Sequence, residues 1–102
     1  MAGVAGLVLF ELHVPGARSL KEKRRVVKSL VERIAQRHRV STSEVGLHDL
    51  HQRSEIALAL VGSDARTVEQ HLERIRSAIE LDALGCVLTR WDAETIDLDA
   101  SY

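Results

Sequence analysis

Hydrophobic and polar positions divide the chain into six stretches. From Val4 to Val14 both parities are apolar as far as Phe10, with Val8, Phe10, Leu12 and Val14 on one side and Leu7, Leu9, Glu11 and His13 on the other. A strand apolar on both sides belongs in the middle of a sheet. Pro15-Gly16, which holds the chain's one proline, ends it. Ser19 to Arg39 then changes period. Leu20, Val27, Leu30, Val31, Ile34 and His38 fall on one side of a wheel turning 100° per residue, with Lys21, Arg25, Lys28, Glu32 and Gln36 opposite. Ser19 and Glu22 form the S-x-x-E pattern of a capping box. Lys23 and Arg24 flank the stripe, where long stems lie over apolar surface and the charges are expected to reach solvent.

Val40 to Leu47 is rich in Val, Thr and Ser and predicts a polar strand suited to a sheet edge. His48, Asp49 and Leu50 connect it to Gln52–Val61, where Ile56, Leu58 and Leu60 alternate with Ala57, Ala59 and Val61, a second central strand. Gly62-Ser63-Asp64 breaks the strand and caps a helix over Asp64–Leu84, whose Val68, Leu72, Ile75 and Ile79 repeat at i, i+4, i+7 and i+11. Gly85 follows as a helix stop. Cys86 to Leu98 predicts the last strand, running into an acidic tail, Asp97 to Tyr102.

The order β-α-β-β-α-β in an α+β chain of 102 residues predicts one domain with the ferredoxin-like sandwich: a four-stranded antiparallel sheet with both helices on one face. The first and third strands, the two most apolar, then lie side by side in the centre. This arrangement leaves Leu7, Leu9, Ala57, Ala59 and Val61 on the face away from the helices. An apolar patch of that kind is expected to be covered, by a second copy of the chain or by a protein partner.

Composition adds two constraints. A hydrophobic fraction of 45% with 28% charged residues excludes disorder, and only three aromatics means a core of Leu, Val, Ile and Ala. The single cysteine, Cys86, excludes an internal disulfide and fits a reducing compartment. The apolar N-terminal stretch has no basic region before it and is interrupted at Glu11, so neither a signal peptide nor a membrane span is expected. The expected location is the cytoplasm, with no membrane partner.

Charge changes the picture most. Formal net charge is −1, yet Arg18 to Arg39 holds nine cations and two anions, +7, leaving −8 for the remainder. The cluster at Lys21 to Arg25 sits at the positive end of the helix dipole, where cations are disfavoured. Either an anionic partner binds there or the acidic remainder of the fold pairs with it. Candidate phosphate-binding residues are Arg18, Lys21, Lys23, Arg24, Arg25 and Lys28, with Arg53 from the third strand.

Other chemistry is sparse. His48-Asp49-Leu50-His51 pairs two histidines three apart without a third ligand at a telling spacing, so no metal and no cofactor are expected. Glu11, His13, Glu44 and Glu55 fall on neighbouring strands as a candidate acid–base group on the open sheet, but general acid–base work needs a pocket and shifted pKa values. Cys86 has no His partner and reads as a small core residue. No phosphate loop, dinucleotide fingerprint, C-x-x-C or nucleophile elbow is present. An RNA-recognition sheet needs aromatics on its central strands, and Phe10 alone has that position, with a parity that turns it toward the helices.

Ala-Arg-Ser-Leu-Lys-Glu-Lys-Arg at 17–24, Ser-Glu-Val-Gly at 43–46, Asp49 and Gln52-Arg53 resemble the YlxP-like family, bacterial proteins of unknown function (domain-of-unknown-function family 503). The resemblance covers nearly the whole chain. It implies a ferredoxin-like fold and, from genes for translation initiation and ribosome maturation that often lie beside the family's own, a ribosome- or RNA-related role; no catalytic residue comes with it. His51 stands where many relatives carry an aromatic residue. The expected function is a small binding protein that meets rRNA or a ribosomal subunit through its basic first helix, with no DNA expected. The alternative is a homodimeric interaction module built on the open sheet. An enzyme ranks third. The acylphosphatases share this fold, but their glycine-rich anion loop has no counterpart here, and only Arg18 faintly resembles their arginine.

Overall fold

The computed structural model describes residues 3–81 and 85–98. Strand β1 spans Val4–His13, helix α1 Leu20–His38, β2 Ser41–Gly46, β3 Arg53–Gly62, α2 Ala65–Leu81 and β4 Val87–Asp97. The strands are ordered β2-β3-β1-β4, all neighbours antiparallel, so the two doubly apolar strands are central as their patterning requires. This is the ferredoxin-like α+β fold. Residues 82–84, expected to end the second helix, and 99–102 of the acidic tail lie outside the described residues. Gly85 takes φ +82, which a residue without a Cβ adopts freely.

One face of the sheet forms the core. Val8, Phe10, Leu12, Ile56 and Leu58 are buried in a single cluster with Val27, Leu30 and Ile34 of α1 and Val68, Leu72, Ile75 and Ile79 of α2. Helix α1 lies over the β2 side of the sheet, and α2 over β1, β3 and β4. Phe10 stacks at 5.5 Å on Trp91, whose ring lies 5.9 Å from the Arg76 guanidinium. At Gly6 an added Cβ would stand 2.7 Å from Val68 Cγ1, so α2 approaches β1 closely only because that position has no side chain.

Helix α1 starts as its sequence demands. Ser19 Oγ accepts from the Glu22 N–H at 3.1 Å. The Glu22 carboxylate accepts from the Arg18 N–H at 2.7 Å, one residue earlier than a standard capping box places it.

Lys23 departs from the expectation that its charge reaches solvent. It is fully buried. Lys23, Val27, Leu30 and Ile34 share the i, i+4, i+7, i+11 spacing that Val68, Leu72, Ile75 and Ile79 have in α2, so the helical period itself turns Lys23 inward. Its ammonium donates to the carbonyls of Leu47 at 2.9 Å and Arg53 at 3.2 Å and pairs with Glu44 Oε2 at 3.1 Å. The His48 carbonyl lies at 3.4 Å. The buried Ser54 hydroxyl donates to the same Glu44 oxygen at 2.6 Å. All three ammonium protons therefore have acceptors, the condition under which a charge is tolerated in a core.

The β2–β3 connection bends around this ammonium. Leu47 adopts φ +60, uncommon for a side chain of its size, and that conformation aims its carbonyl at Lys23. Gln52 reaches beyond its own connection. Its side-chain amide donates to the carbonyls of Pro15 at 3.4 Å and Ala17 at 3.3 Å, and its own carbonyl accepts from the Val14 N–H at 2.7 Å. The β1–α1 and β2–β3 connections are thus bound to each other at one end of the sheet.

Replacing Lys23 by Met keeps the stem but leaves the Glu44 carboxylate and two carbonyls without their donor. Such a change is expected to cost about 3–5 kcal/mol, read as a fall in the urea midpoint, and Glu44→Leu on the same background should recover part of it. A loss below about 1 kcal/mol would show that the pair is incidental.

Candidate anion-binding interface

Once Lys23 points inward, the orientation of α1 is set. Lys21, Arg24, Arg25 and Lys28 are all exposed on its outer side. At 100° per residue they fall within an arc of about 100°, and at 1.5 Å per residue they extend along about 10 Å of the axis. Arg18 is exposed immediately before the helix. Among the described residues, no carboxylate pairs with the side chains of these five cations. Four of the fold's carboxylates pair elsewhere: Glu44 with Lys23, Glu11 with Arg53, Glu80 with Arg76 and Asp92 with Arg90.

A groove of about 330 Å³ runs beside this stripe, between Arg24, Lys28 and Val31 of α1 and Thr42, Ser43 and His48 on the β2 side. Thr42 Oγ1 is buried against it without a hydrogen-bond partner. The stripe and the groove adjoin, and Glu44, already paired with Lys23, lines the groove on the strand side.

Two of the residues grouped with this surface from sequence do not belong to it. Lys23 is in the core for the reason already given. Arg53 points from the opposite face of the sheet, where its guanidinium holds Glu11 Oε1 at 2.7 Å. The remaining five, Arg18, Lys21, Arg24, Arg25 and Lys28, are brought together by one helix and its N-terminal approach.

The open sheet face carries the other sequence candidates. Leu7, Leu9, Ala57, Ala59 and Val61 all point away from the helices, with Leu7 40% and Val61 74% exposed. A trough of about 510 Å³ crosses this face over Leu7, Leu9, Ala57 and Ala59, between Ser41 and Ser43 on β2 and Asp92 and Glu94 on β4.

The candidate acid–base group is divided by the sheet. Glu11 and Glu55 are register partners on the open face, but Glu44 points to the helix side, where Lys23 and Ser54 hold it. The Arg53 hydrogen bond, backed by its charge and by the Thr89 hydroxyl, holds the Glu11 carboxyl below the usual carboxylate range. A carboxylate so stabilised is a poor proton acceptor at neutral pH. His48 and His51 are exposed in the β2–β3 connection, and no group of three or more metal-ligating side chains occurs among the described residues. Cys86 packs half-buried against the core, and burial pushes its thiol pKa up, away from thiolate chemistry. No helix among the described residues is long and apolar enough to cross a membrane.

Fold and surface together define a small ferredoxin-like protein with a one-sided basic helix. By sequence the chain belongs to the family described as "Protein of unknown function (DUF503)", whose model matches residues 5–92. The "Uncharacterized protein YlxP" of Bacillus subtilis (strain 168) is 36% identical over 75 residues, which cover 74% of this chain and 82% of that protein. Among solved structures, the de novo designed protein Foldit4 superimposes with a TM-score of 0.49 at 19% identity, covering 92% of this chain and 96% of that one. SnoaB, a cofactor-independent oxygenase from Streptomyces nogalater, gives 0.47 at 14% identity, covering 97% and 95%.

The Glu11 shift sets a pH dependence. A carboxyl held below its ordinary value in the folded state stabilises the fold fully above the unfolded pKa, near 4.5, and loses that contribution as pH falls through the folded value. With half-exposed Arg53 as partner, Glu11→Gln should cost below about 1 kcal/mol at pH 7. Urea midpoints of wild type and variant should converge in acid; a gap that widens as pH falls would contradict the assignment.

Proposed function

We propose that this protein binds RNA phosphates, on rRNA or a ribosomal subunit, through the outer face of α1. The observation that carries this is the stripe of Lys21, Arg24, Arg25 and Lys28, exposed together and without a carboxylate partner among the described residues. Four like charges within two turns repel one another and oppose the helix dipole at its N-terminal end. A polyanion relieves both costs at once, and phosphates along a strand do so without any base being read. Arg18 extends the stripe toward the helix start.

The sheet does not supply the stacking surface used in base-specific recognition. Phe10 is fully buried, and Trp91 faces α2 and the core. Binding is therefore electrostatic and indifferent to sequence, with shape and charge density of the RNA deciding affinity.

Four phosphate contacts to single-stranded RNA predict log K falling against log salt with a slope of about −3. Reversing Lys21, Arg25 and Lys28 to Glu should lower affinity roughly a hundredfold or more and remove most of that slope, with thermal unfolding little changed because all three side chains are exposed. Fluorescence anisotropy of labelled rRNA fragments across a salt series reads both. Binding that ignores salt, or that survives the triple reversal, would overturn the proposal.

A further inference from the structure

Of the seven large hydrophobic side chains exposed among the described residues, four lie on the sheet face away from the helices: Leu7, Val61, Val87 and Ile96. A sheet face so apolar is ordinarily packed against something. We infer that a second copy of this chain covers it, face to face, with the two-fold axis running along the strands between β1 and β3.

The argument rests on self-complementarity. Leu7 is register partner of Ala59, and Leu9 of Ala57. An axis between β1 and β3 lays each chain's β1 over its partner's β3, so Leu7 and Leu9 descend onto the partner's Ala59 and the partner's Ala57. Large side chains meet small ones on both sides, as an isologous interface requires. The same operation lays β4 over the partner's β2. Asp92 on one rim of the trough then faces the partner's Ser43, and Glu94 the partner's Ser41, carboxylates opposite hydroxyl groups.

The charged end of the face decides the axis. Glu11, Glu55, Arg53 and Arg90 gather there, two carboxylates and two guanidiniums per chain. The opposite end carries Ala5, Val61 and Ile96. An axis across the strands would press each chain's charged end onto its partner's apolar end and desolvate the charges without compensation. An axis along the strands joins like ends: apolar lies on apolar, and Glu11 lies over the partner's Glu55 with Arg53 of each chain already holding Glu11 beside them.

The area is that of a small interface. With β1 and β3 overlapping over 10 residues and β4 over only the 6 residues of the partner's β2, about 3.4 Å per residue and 4.8 Å between strands give a flat overlap of roughly 500 Å² per chain. The two faces together, roughly 1,000 Å², reach the lower bound for a specific interface. The inference is independent of RNA binding, since the dimer keeps both α1 stripes on its outer surfaces.

Sedimentation velocity at tens of micromolar should show a species of twice the 11.3 kDa chain mass. Ala57→Arg, a change on an exposed face that the isolated chain tolerates, should raise the dimer dissociation constant roughly a hundredfold or more. The axis is tested by Glu55→Arg, which leaves the Glu11–Arg53 pair in place. It should tighten the dimer, because an axis along the strands sets the new guanidinium over the partner's Glu11, whereas an axis across them sets it over the partner's apolar end. A wild-type monomer at that concentration, a dimer indifferent to Ala57→Arg, or a dimer weakened by Glu55→Arg would each overturn the inference.

Discussion

One buried ammonium holds this structure in register. Lys23 joins the start of α1 to the end of β2, to the β2–β3 connection and to the start of β3, through Glu44 and the carbonyls of Leu47 and Arg53. Strand β2 is only six residues long and polar, and it forms the sheet edge, so apolar burial does little to secure it. The ion pair provides what side-chain packing does not. Its cost in desolvation is met because every proton of the ammonium has an acceptor and Ser54 occupies a further position on the carboxylate. Leu47 bears its left-handed conformation for the same end.

The surface chemistry follows from that internal contact. A helix has one rotation about its axis, and Lys23 inward places Lys21, Arg24, Arg25 and Lys28 outward. The residues that carry the family resemblance therefore have two kinds of work. Ser19 and Glu22 cap the helix, Lys23 and Glu44 bind it to the sheet edge, and Gln52 ties the β1–α1 and β2–β3 connections together. These are explained by folding alone. Lys21, Arg24 and their neighbours on the stripe are not, and the proposed binding surface rests on them.

The element order, the two central strands and the core side of each were legible in the chain because period and parity are local properties. So was the set of residues on the open sheet, since parity places Leu7, Leu9, Ala57, Ala59 and Val61 together. Lys23 was misplaced because lysine so rarely occupies a core that its identity outweighed its spacing, although that spacing matches the buried positions of α2 residue for residue. Glu44 and Arg53 were assigned to the wrong surfaces for a related reason. Their partners, Lys23 and Glu11, lie 21 and 42 positions away in the chain, and only the sheet register brings them together. Which of two carboxylates faces which cation is a tertiary fact that no window of sequence contains.

The chain has three lysines, all in α1, which makes the division of labour within that helix open to a single measurement. Amine acetylation rates, resolved by residue with mass spectrometry, should be taken with and without rRNA at low salt. Lys21 and Lys28 should react readily in the free protein and be protected by RNA, while Lys23 should remain unmodified in both until the fold is opened. Lys23 reacting as fast as its neighbours in the native protein, or Lys21 and Lys28 unaffected by RNA, would contradict the account of one helix with a structural cation inside and a binding stripe outside.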